Sequence, residues 1–437
     1  MNKEIKACII TLGCRVNQYE SDAIMQELSA LGVTVCTQGE TADIYVINTC
    51  TVTGESDRKS RQLIRRCINK NPNAVIIVTG CFAQVNPDTV MSIEGVDFVC
   101  GNNAKSLIAR KALELYESKS EPQCYMPDIF ASAFDTMRVG APMTRTRAFI
   151  KIEDGCDSRC AYCIIPKARG NVRSNPREYV IDEVKNIAAQ GCREVVLTGI
   201  ETAAYGKDFK NGYTLGDLLT EINGIDGIDR IRLGSLDPAA VTRELVDKIK
   251  CLDKVMNHFH ISMQSGCTRT LNMMKRKYNV DMARKNLDYL REQIPGTMLS
   301  ADVITGFPGE NDADFNDTYR FFEYERFLHL HIFPYSKRKG TVAAEMPDQV
   351  DEAVKKERLY ALTSLQEKIK EDLHREFIKK CGEVSVLFEN TVDGYACGHA
   401  PNFMEVRAKA DKCPSGQILK VKLTHFDKDY LYGEIIY

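Results

Sequence analysis

Short apolar runs alternate with amphipathic helical segments over the first part of the chain. The runs at 7–10, 44–47 and 75–78 have the length and composition of buried strands, and residues 21–31 and 56–69 carry apolar side chains at helical spacing. Strands that alternate with helices are typical of βαβ units, and strands that are apolar along their whole length are typical of parallel sheets. The pattern therefore predicts a parallel α/β sheet domain at the N-terminus.

A second alternating region covers residues 148–335. Its first strand candidate is the apolar run at 149–152. Helical segments such as 177–190, 283–293 and 314–325 separate the other strand candidates, which are 194–199, 230–233, 259–263, 301–304 and 328–333. Six β/α units predict a partial (β/α) barrel of the TIM type, whose functional site lies at the carboxyl-terminal mouth of the strands. A charged helical segment at 349–380 follows this barrel.

The end of the chain changes character. Short runs that alternate apolar and polar residues are separated by Gly, Pro and Asn, at 384–387, 405–408, 418–423 and 431–436. This pattern predicts a small all-β, OB-like barrel, and such barrels often bind nucleic acid. Acidic and basic residues are nearly balanced there, so charge alone gives the nucleic-acid interpretation little support.

The length of 437 residues is enough for several domains. Residues 118–147 have a weak hydrophobic pattern and contain Pro122, Pro127 and Pro142, which indicates a linker. We therefore expect an α/β multidomain protein with four segments: an N-terminal domain over 1–117, a linker over 118–147, a barrel with its trailing helix over 148–378, and a β-barrel over 379–437.

Composition limits the classes of function. Seventeen cysteines without a secretory leader predict a reducing compartment and metal chemistry. No stretch approaches the roughly 18 consecutive apolar residues of a membrane span, so we expect a cytoplasmic protein without membrane contact. The formal net charge of −2 argues against bulk non-specific binding of nucleic acid but leaves local basic patches open.

A cysteine triplet follows the first predicted strand of the central barrel. Cys156, Cys160 and Cys163 have C-x3-C-x2-C spacing. Three thiolates so close together can hold three irons of a [4Fe-4S] cluster, and without a fourth local cysteine one iron keeps an open position. A structural zinc site needs four ligands, and disulfides suit small secreted scaffolds. A loop with incidental cysteines is the remaining alternative.

A second set of three cysteines is spread over the N-terminal domain. Cys14, Cys50 and Cys81 each stand at the carboxyl end of a predicted strand. Ligands gather at that edge of an open α/β sheet, so these thiols can converge on a second cluster that also has a free position. The alternative is three buried cysteines, because free cysteine is among the most buried residue types. For Cys100, which follows a fourth strand candidate at 96–99, we favour that alternative.

Several motifs together resemble one family, the radical S-adenosylmethionine (SAM) methylthiotransferases. They are the triplet, with Tyr162 before its last cysteine, and the segments L-G-C-R-V-N-Q-Y-E, N-T-C-T-V-T and T-G-C-F-A-Q around the three earlier cysteines. The resemblance extends along nearly the whole chain, and the C-terminal barrel is similar to the RNA-binding TRAM domain. One departure is L-G-S-L-D-P at 233–238, where the family more often has Ser-Ser-x-Glu-Pro.

The segments around Cys14 and Cys50 are most similar to the branch of the family that acts on N6-threonylcarbamoyladenosine beside the tRNA anticodon. Other branches act on isopentenyladenosine at the same position or on an aspartate of a ribosomal protein, and both stay open as alternatives. The resemblance thus implies a transferase that inserts a methylthio group at C2 of modified adenosine 37, in the anticodon stem-loop of tRNA.

The resemblance also implies the cofactors and a second partner. Two [4Fe-4S] clusters are expected. The auxiliary cluster on Cys14, Cys50 and Cys81 would hold the sulfur atom, and the cluster on the triplet would bind SAM at its open iron and cleave it to a radical. A second SAM molecule would donate the methyl group. An external low-potential electron donor would supply the electron.

The resemblance implies eight residues that contact SAM or support its site: Tyr162, Gly199, Glu201, Ser235, Gln264, Ser265, Asp302 and Gly306. Each has a plainer alternative, such as an aromatic ring packed beside the barrel, a strand-ending turn or a structural ion pair. The histidine pairs His258/His260 and His329/His331 have the spacing that puts both members on one face of a strand. For these pairs we favour packing over metal binding, because no further ligand spacing completes a zinc set.

Three basic clusters leave the position of an RNA contact open. They lie at 58–66, 275–277 and 337–339. The first falls on a predicted helix just after Cys50, where part of the helix face could meet RNA phosphates. The alternative is a solvated surface, because charged helix faces usually contact only water.

Overall fold

The computed structural model describes residues 4–37, 39–140, 146–410 and 412–436. It confirms the three folded parts that the sequence predicted: a parallel α/β sheet, a partial parallel barrel and a small closed β-barrel. Within the described ranges, no helix combines the length and the apolar composition that a bilayer crossing requires.

The first part is a sheet of six parallel strands. Its strands are β1 (Lys6–Thr11), β2 (Thr34–Val35), β3 (Ile44–Thr49), β4 (Val75–Gly80), β5 (Phe98–Cys100) and β6 (Gln123–Tyr125), in the order β2-β1-β3-β4-β5-β6. Its helices are α1 (Arg15–Ala30), α2 (Gly54–Lys70), α3 (Cys81–Val85), α4 (Pro87–Met91) and α5 (Ile108–Glu117). Successive strand residues face opposite sides, so Val46 enters one apolar core and Ile47 enters the other.

The central part has six principal parallel strands that curve into a partial barrel. Its strands are β7 (Arg147–Lys151), β8 (Glu153–Asp154), β9 (Arg173–Ser174), β10 (Glu194–Thr198), β11 (Arg230–Leu233), β12 (Ser235–Leu236), β13 (His258–Gln264), β14 (Met298–Thr305) and β15 (His329–Pro334). The third strand of the barrel is split into β11 and β12 by Gly234, and β8 pairs only with β9.

Helices cover the outside of this barrel. They are α6 (Ile165–Arg169), α7 (Arg177–Ala189), α8 (Leu215–Asn223), α9 (Arg243–Ile249), α10 (Thr268–Met273), α11 (Val280–Gln293), α12 (Asp312–Glu325) and the long α13 (Glu352–Lys380). The helix α13 begins at an Asp351 cap and packs against β15 through buried residues that include Leu362 and Leu365. The charged segment that the sequence placed after the barrel therefore completes its apolar core.

The C-terminal part is a closed barrel of five strands. They are β16 (Glu383–Val392), β17 (Tyr395–His399), β18 (Glu405–Lys409), β19 (Ile418–Phe426) and β20 (Leu431–Ile436). The hydrophobic pattern predicted four of them and missed β17. Its buried residues, Ala396 and Gly398, are small, so the strand shows no alternation of large apolar side chains.

The segment predicted as a linker is attached to the body of the protein. Residues 123–125 form β6 at the edge of the first sheet. The hydroxyl of Tyr19 on α1 donates a hydrogen bond to the carbonyl of Met137 at 2.6 Å, and the Val139 N–H donates to Glu183 on α7 at 2.8 Å. The segment thus bridges the sheet and the barrel. Pro142 lies outside the described residues.

A buried network of charged side chains joins the first sheet to the barrel. Glu20 of α1 is fully buried and pairs with Lys105. It also pairs with Lys151 of β7 at 2.9 Å and with Arg169 of α6 at 2.8 Å. Asp154 of β8 shares both cations, Lys151 at 2.8 Å and Arg169 at 2.9 Å. Removing charges from water is costly, and this pairing offsets the cost.

The electrostatics of the network favour the charged forms of its acids. Burial opposes the ionisation of Glu20, but the three surrounding cations outweigh it and hold the pKa of Glu20 well below its usual range. Burial also opposes the ionisation of Asp154, and Arg169 and Lys151 nevertheless lower its pKa to about 2. The cations outnumber the carboxylates, so the network carries excess positive charge.

Polar residues of this network explain why the hydrophobic pattern predicted the start of α1 several residues too late. The helix begins at Arg15, whereas the apolar spacing predicted it from residue 21. Its first turns bury the polar residues Asn17 and Glu20 alongside Val16 and Tyr19, so the apolar pattern is interrupted. Arg169 donates to the Asn17 side chain at 2.6 Å, so these buried polar positions are satisfied by the neighbouring part of the protein.

Glu20→Gln should destabilise the fold strongly, because it removes one of the two carboxylates that balance the buried cations while keeping the side-chain shape. We expect the free energy of unfolding to fall by about 3–5 kcal/mol. Anaerobic urea denaturation followed by circular dichroism measures this change. Glu55→Gln is the matched control, since Glu55 pairs with Arg58 on the exposed face of α2, and its midpoint should stay in place. Equal midpoints for both variants would show that the network does not hold the two parts together.

Candidate active site

Cys14, Cys50 and Cys81 lie at the carboxyl ends of three neighbouring strands. Cys14 comes shortly after β1, Cys50 follows β3 and Cys81 follows β4, and these strands are adjacent in the sheet. Because the strands are parallel, the structure brings all three cysteines to one edge. Cys100 is different: it is fully buried, and its thiol donates to the carbonyl of Ala104 at 3.2 Å. It is a core cysteine, as we expected.

Two glycines allow the backbone to crowd around this set. Gly13 has a φ of +103°, and a Cβ atom there would lie 2.9 Å from the Cβ of Cys50. Gly80 has a φ of +95°, and a Cβ atom there would lie 2.3 Å from the carbonyl oxygen of Thr49. Only glycine adopts these conformations readily and leaves space for so close an approach. Steric crowding therefore explains why a glycine directly precedes both Cys14 and Cys81.

The thiols of this set are close enough to influence one another's ionisation. Burial raises the pKa of Cys50 to about 11, and the neighbouring Cys81 and Cys14 raise it further. Cys14 is exposed at the sheet edge, yet desolvation by the surrounding protein raises its pKa, while Arg169 of the buried network lowers it. Thiols must lose their protons to bind metal, so metal binding at this set is coupled to proton release.

The triplet lies in the loop between β8 and α6. The backbone N–H of Ser158 donates to the Sγ of Cys156 at 3.3 Å, and that of Ile165 donates to the Sγ of Cys163 at 3.4 Å. Burial raises the pKa of both thiols to about 12. Hydrogen bonds to cysteine sulfur are among the factors that set the potential of iron–sulfur clusters, so this loop suits such a ligand set.

The donor chemistry of both cysteine sets fits iron–sulfur clusters. Among the described residues, each set supplies three thiols, and a [4Fe-4S] cluster binds each thiolate through a different iron. The two clusters themselves stay a prediction.

Short helices bring the two sets near each other. The helix α3 begins at Cys81 and packs against α6, which begins two residues after Cys163. The side-chain amide of Asn102 donates to the Sγ of Cys81 at 3.7 Å and to the carbonyl of Ala168 in α6 at 2.7 Å. Burial is the main reason for the raised pKa of Cys163, and Cys81 is one of the charges that add to it. The two cysteine sets are therefore connected through packed neighbouring helices.

Arg276 belongs to the triplet's surroundings, although the sequence treated it only as part of a basic cluster. Its guanidinium donates to the Sγ of Cys160 at 3.3 Å and to the Tyr162 hydroxyl at 3.4 Å. It also pairs with Asp237 at 2.8 Å, with only 8% of its side chain exposed. Asp237 lies in the L-G-S-L-D-P segment, so the shorter acid at this departure from the family still reaches the arginine. A Lys-Arg-Lys run gives no sign that its middle residue points inward.

The loop after β10 reaches the triplet. The thiol of Cys156 donates to the Glu201 carboxylate at 3.5 Å. The backbone N–H of Glu201 donates to the buried Glu153 at 2.9 Å, and Gly199 packs against the same glutamate. The structure thus brings Gly199 and Glu201 to the cysteines, and their contact with SAM stays a prediction.

Three other predicted residues stand on the central strands. Ser235 is half-buried in β12. Gln264 ends β13 with a φ of +64°, a left-handed conformation that is uncommon outside glycine and that often marks functional sites. Ser265 is buried, and its hydroxyl lies 3.0 Å from that of Thr318 on α12. A role in SAM binding stays a prediction for each of the three.

The remaining predicted residues have structural contacts of their own. The Tyr162 ring packs edge-on against Phe307, with 6.5 Å between the ring centroids. Asp302 lies on β14 and is 3.1 Å from the Nε2 of His260. The N–H of Gly306 donates to the Glu310 carboxylate at 3.0 Å, in a turn beside α13. These contacts match the plainer alternatives and leave the predicted SAM contacts untested.

One residue of the basic cluster at 337–339 forms structural contacts inside the protein. Arg338 is buried and pairs with Asp57 of α2 at 2.8 Å. It also donates to the Thr51 hydroxyl at 2.7 Å, so it ties the loop after β15 to the region just after Cys50. The exposed cations of α2, such as Lys59, stay candidates for RNA contact.

Two stretches of the chain match known families. Residues 6–101 match a family described as uncharacterized protein family UPF0004, and residues 150–322 match the radical SAM superfamily. The first stretch carries Cys14, Cys50 and Cys81, and the second carries the triplet. Each cysteine set thus falls within its own family segment.

Whole-chain relatives extend this result. The chain is 39% identical over 431 residues to threonylcarbamoyladenosine tRNA methylthiotransferase MtaB of Bacillus subtilis (strain 168), which covers 98% of this chain and 95% of that protein. It is 34% identical over 445 residues to tRNA-2-methylthio-N(6)-dimethylallyladenosine synthase of Caldicellulosiruptor saccharolyticus, which covers 98% of this chain and 92% of that protein. Both proteins resemble this chain over its full architecture.

A solved structure supports the fold. The radical S-adenosylmethionine methyltransferase TsrM from Kitasatospora setae, determined with cobalamin and a [4Fe-4S] cluster, superposes with a TM-score of 0.58 at 14% sequence identity, covering 78% of this chain and 77% of that chain. At this identity the likeness concerns the fold alone. The family that the motifs predicted is confirmed by the relatives: this chain belongs to the radical SAM methylthiotransferases.

Proposed function

We propose that the protein is a tRNA-modifying transferase that inserts a methylthio group at C2 of N6-threonylcarbamoyladenosine at position 37. The similarity to a protein of that name along 98% of the chain carries this proposal. The packing of the helices that carry or follow the two three-cysteine sets supports it chemically. We further propose a cytoplasmic location, and segment boundaries at residues 117, 147 and 378.

The cysteines define which part of the chain would hold each cofactor. The triplet would hold one [4Fe-4S] cluster with SAM at its open iron, and the set at the sheet edge would hold the auxiliary [4Fe-4S] cluster. When bound, these groups supply the carbon radical, the sulfur and the methyl group. An external low-potential donor would supply electrons, since the proposed SAM cleavage consumes an electron.

The chain's own residues would bind the clusters and the tRNA and hold the cysteine ligands in place. Arg276 directs a positive charge and an N–H group at Cys160, and Asp237 holds that guanidinium in place. Asn102 holds Cys81 against α6. The buried network around Glu20 fixes the distance between the two cysteine sets. The C-terminal barrel and the exposed cations of α2 are the proposed contacts with the tRNA anticodon stem-loop.

A second candidate substrate is tRNA in which adenosine 37 carries a dimethylallyl group on N6. Support comes from the relative that makes tRNA-2-methylthio-N(6)-dimethylallyladenosine, which is less similar to this chain than the threonylcarbamoyladenosine enzyme. A ribosomal-protein aspartate is a third candidate from the sequence. The C-terminal barrel favours RNA over protein.

Nucleoside analysis decides among these substrates. We expect a strain without the gene to lose 2-methylthio-N6-threonylcarbamoyladenosine from its tRNA and to accumulate the unthiolated nucleoside, measured by liquid chromatography and mass spectrometry. Re-expression of the intact gene is the control. Normal amounts of the nucleoside in the deletion strain, with loss of the dimethylallyl counterpart, would refute the proposal.

Cys50→Ala should separate the two activities. We expect methylthiolation to vanish, because the auxiliary set loses a ligand, while reductive cleavage of SAM at the triplet stays measurable. Chromatography of the nucleosides and of 5′-deoxyadenosine measures both products after anaerobic reconstitution. Cys124→Ala is the matched control, since Cys124 is an exposed free cysteine of β6. Loss of both activities in folded Cys50→Ala protein would contradict the division of roles.

Arg276→Met should make the triplet's cluster harder to reduce. The substitution removes a positive charge and a hydrogen bond from Cys160, and both stabilise the more negative, reduced state. We expect the midpoint potential to fall by on the order of 50 mV, close to a tenfold change in a one-electron equilibrium. Anaerobic redox titration followed by electron paramagnetic resonance measures the shift. Lys275→Met, an exposed neighbour, is the control, and equal potentials in both variants would exclude this role.

A further inference from the structure

The interior of the partial barrel contains a cavity of about 620 Å³ that the proposed cluster sites do not account for. It is lined by the first halves of the barrel strands, through residues such as Phe149 of β7 and His260 of β13. Phe403 and Glu405 of the C-terminal part also line it. One side of the cavity is formed by Arg15, whose backbone directly follows Cys14 of the auxiliary set.

Among the described residues that line the cavity, Arg15 is the arginine that forms no ion pair. Arg147 pairs with Glu389 at 2.8 Å, and Arg232 pairs with Glu194 at 2.9 Å. The guanidinium of Arg15 lies 5.8 Å from the centroid of the Phe149 ring. Its side chain therefore lies over an aromatic face at the wall of the cavity.

Other lining groups add to the polar character of the cavity. Arg147 and Arg232 line it together with Arg15, which is exposed to solvent there. Burial lowers the pKa of His329 to about 3 and that of His258 well below its usual range, so these histidines line the cavity as neutral rings. The guanidinium of Arg15 is therefore the lining cation available to an anionic ligand.

We propose that Arg15 binds the carboxylate of the threonylcarbamoyl group of the substrate base. The inference rests on the proposed function, because threonine joined through its nitrogen keeps a free carboxylate and a hydroxyl. A guanidinium presents paired N–H donors that match a carboxylate. His260 and Ser300, whose side chains lie 2.9 Å apart on this wall, supply polar groups for the carbamoyl and hydroxyl. A dimethylallyl group has no charge to neutralise Arg15.

Arg15 would then act as a specificity-determining residue. It stands one residue from a ligand of the auxiliary cluster, so a bound carboxylate anchors the base beside the sulfur-bearing site. The anchoring group lies on the N6 substituent and takes no part in the chemistry at C2. Its loss should therefore weaken binding far more than it slows the chemical step.

The first test changes the substrate and leaves the protein intact. Reconstituted wild-type enzyme is given a tRNA anticodon stem-loop that carries N6-threonylcarbamoyladenosine, and the same stem-loop with the threonyl carboxylate converted to a methyl ester. We expect KM to be about 100-fold higher for the ester, the order of effect for one lost charged pair, with kcat nearly unchanged. Equal KM values would overturn the role of the carboxylate.

The second test changes Arg15. Arg15→Gln should raise KM for the acid by a similar factor and have little effect on KM for the ester, while Arg15→Lys should recover part of the loss. Arg110→Gln, an exposed arginine of α5, is the control. Iron content and 5′-deoxyadenosine formation show that each variant keeps its clusters.

The outcomes separate this inference from the proposed function. If wild-type enzyme does not modify the acid substrate at all, the proposed function fails and the inference fails with it. If wild-type enzyme modifies acid and ester equally well, only the role of Arg15 fails. If Arg15→Gln raises KM equally for acid and ester, Arg15 contacts an RNA phosphate instead, and the inference is wrong.

Discussion

The architecture depends on one buried set of ion pairs between its first two parts. Glu20 accepts from cations contributed by the first sheet, by the first barrel strand and by the helix after the triplet. None of these charges has access to water, so each is tolerable only while the others stay in place. The sheet and the barrel are therefore held in one relative position by electrostatics as well as by apolar packing.

This constraint determines where the chemistry can occur. Arg169 lies on the helix that follows Cys163 and contacts Asn17 on the helix that follows Cys14. One guanidinium is thus linked to both cysteine sets. The proposed reaction needs the radical source and the sulfur source to reach the same base, so a rigid connection between them has a clear purpose. Arg169 also lowers the pKa of the Cys14 thiol and so opposes the effect of desolvation there.

The sequence predicted the elements well wherever apolar spacing controlled them. The strands at 44–49 and 230–233 agree with their hydrophobic runs to within two residues. The start of α1 was missed because buried polar residues interrupt its apolar pattern, and the strand β17 was missed because its buried residues are small. The cysteine sets were visible because metal ligands have characteristic spacing and strand-end positions.

Apolar spacing and cysteine spacing cannot reveal residues whose partners lie far away in the sequence. Arg276 reaches Cys160 across more than a hundred positions, and Arg338 reaches Asp57 across a still longer separation. In a linear sequence each is one member of a basic cluster. Arg15 was visible in the family motif, but only the cavity shows that its charge lacks a partner.

The proposed reaction requires two separate clusters, each held by its own cysteine set. Iron and acid-labile sulfide analysis after anaerobic reconstitution tests this requirement most directly, with three proteins compared: the wild type, a variant with Cys14, Cys50 and Cys81 changed to alanine, and a variant with the triplet changed to alanine. We predict about eight irons per chain in the wild type and about four in each variant, because each set would bind one four-iron cluster. About four irons in the wild type, or loss of all iron in either folded variant, would contradict the account.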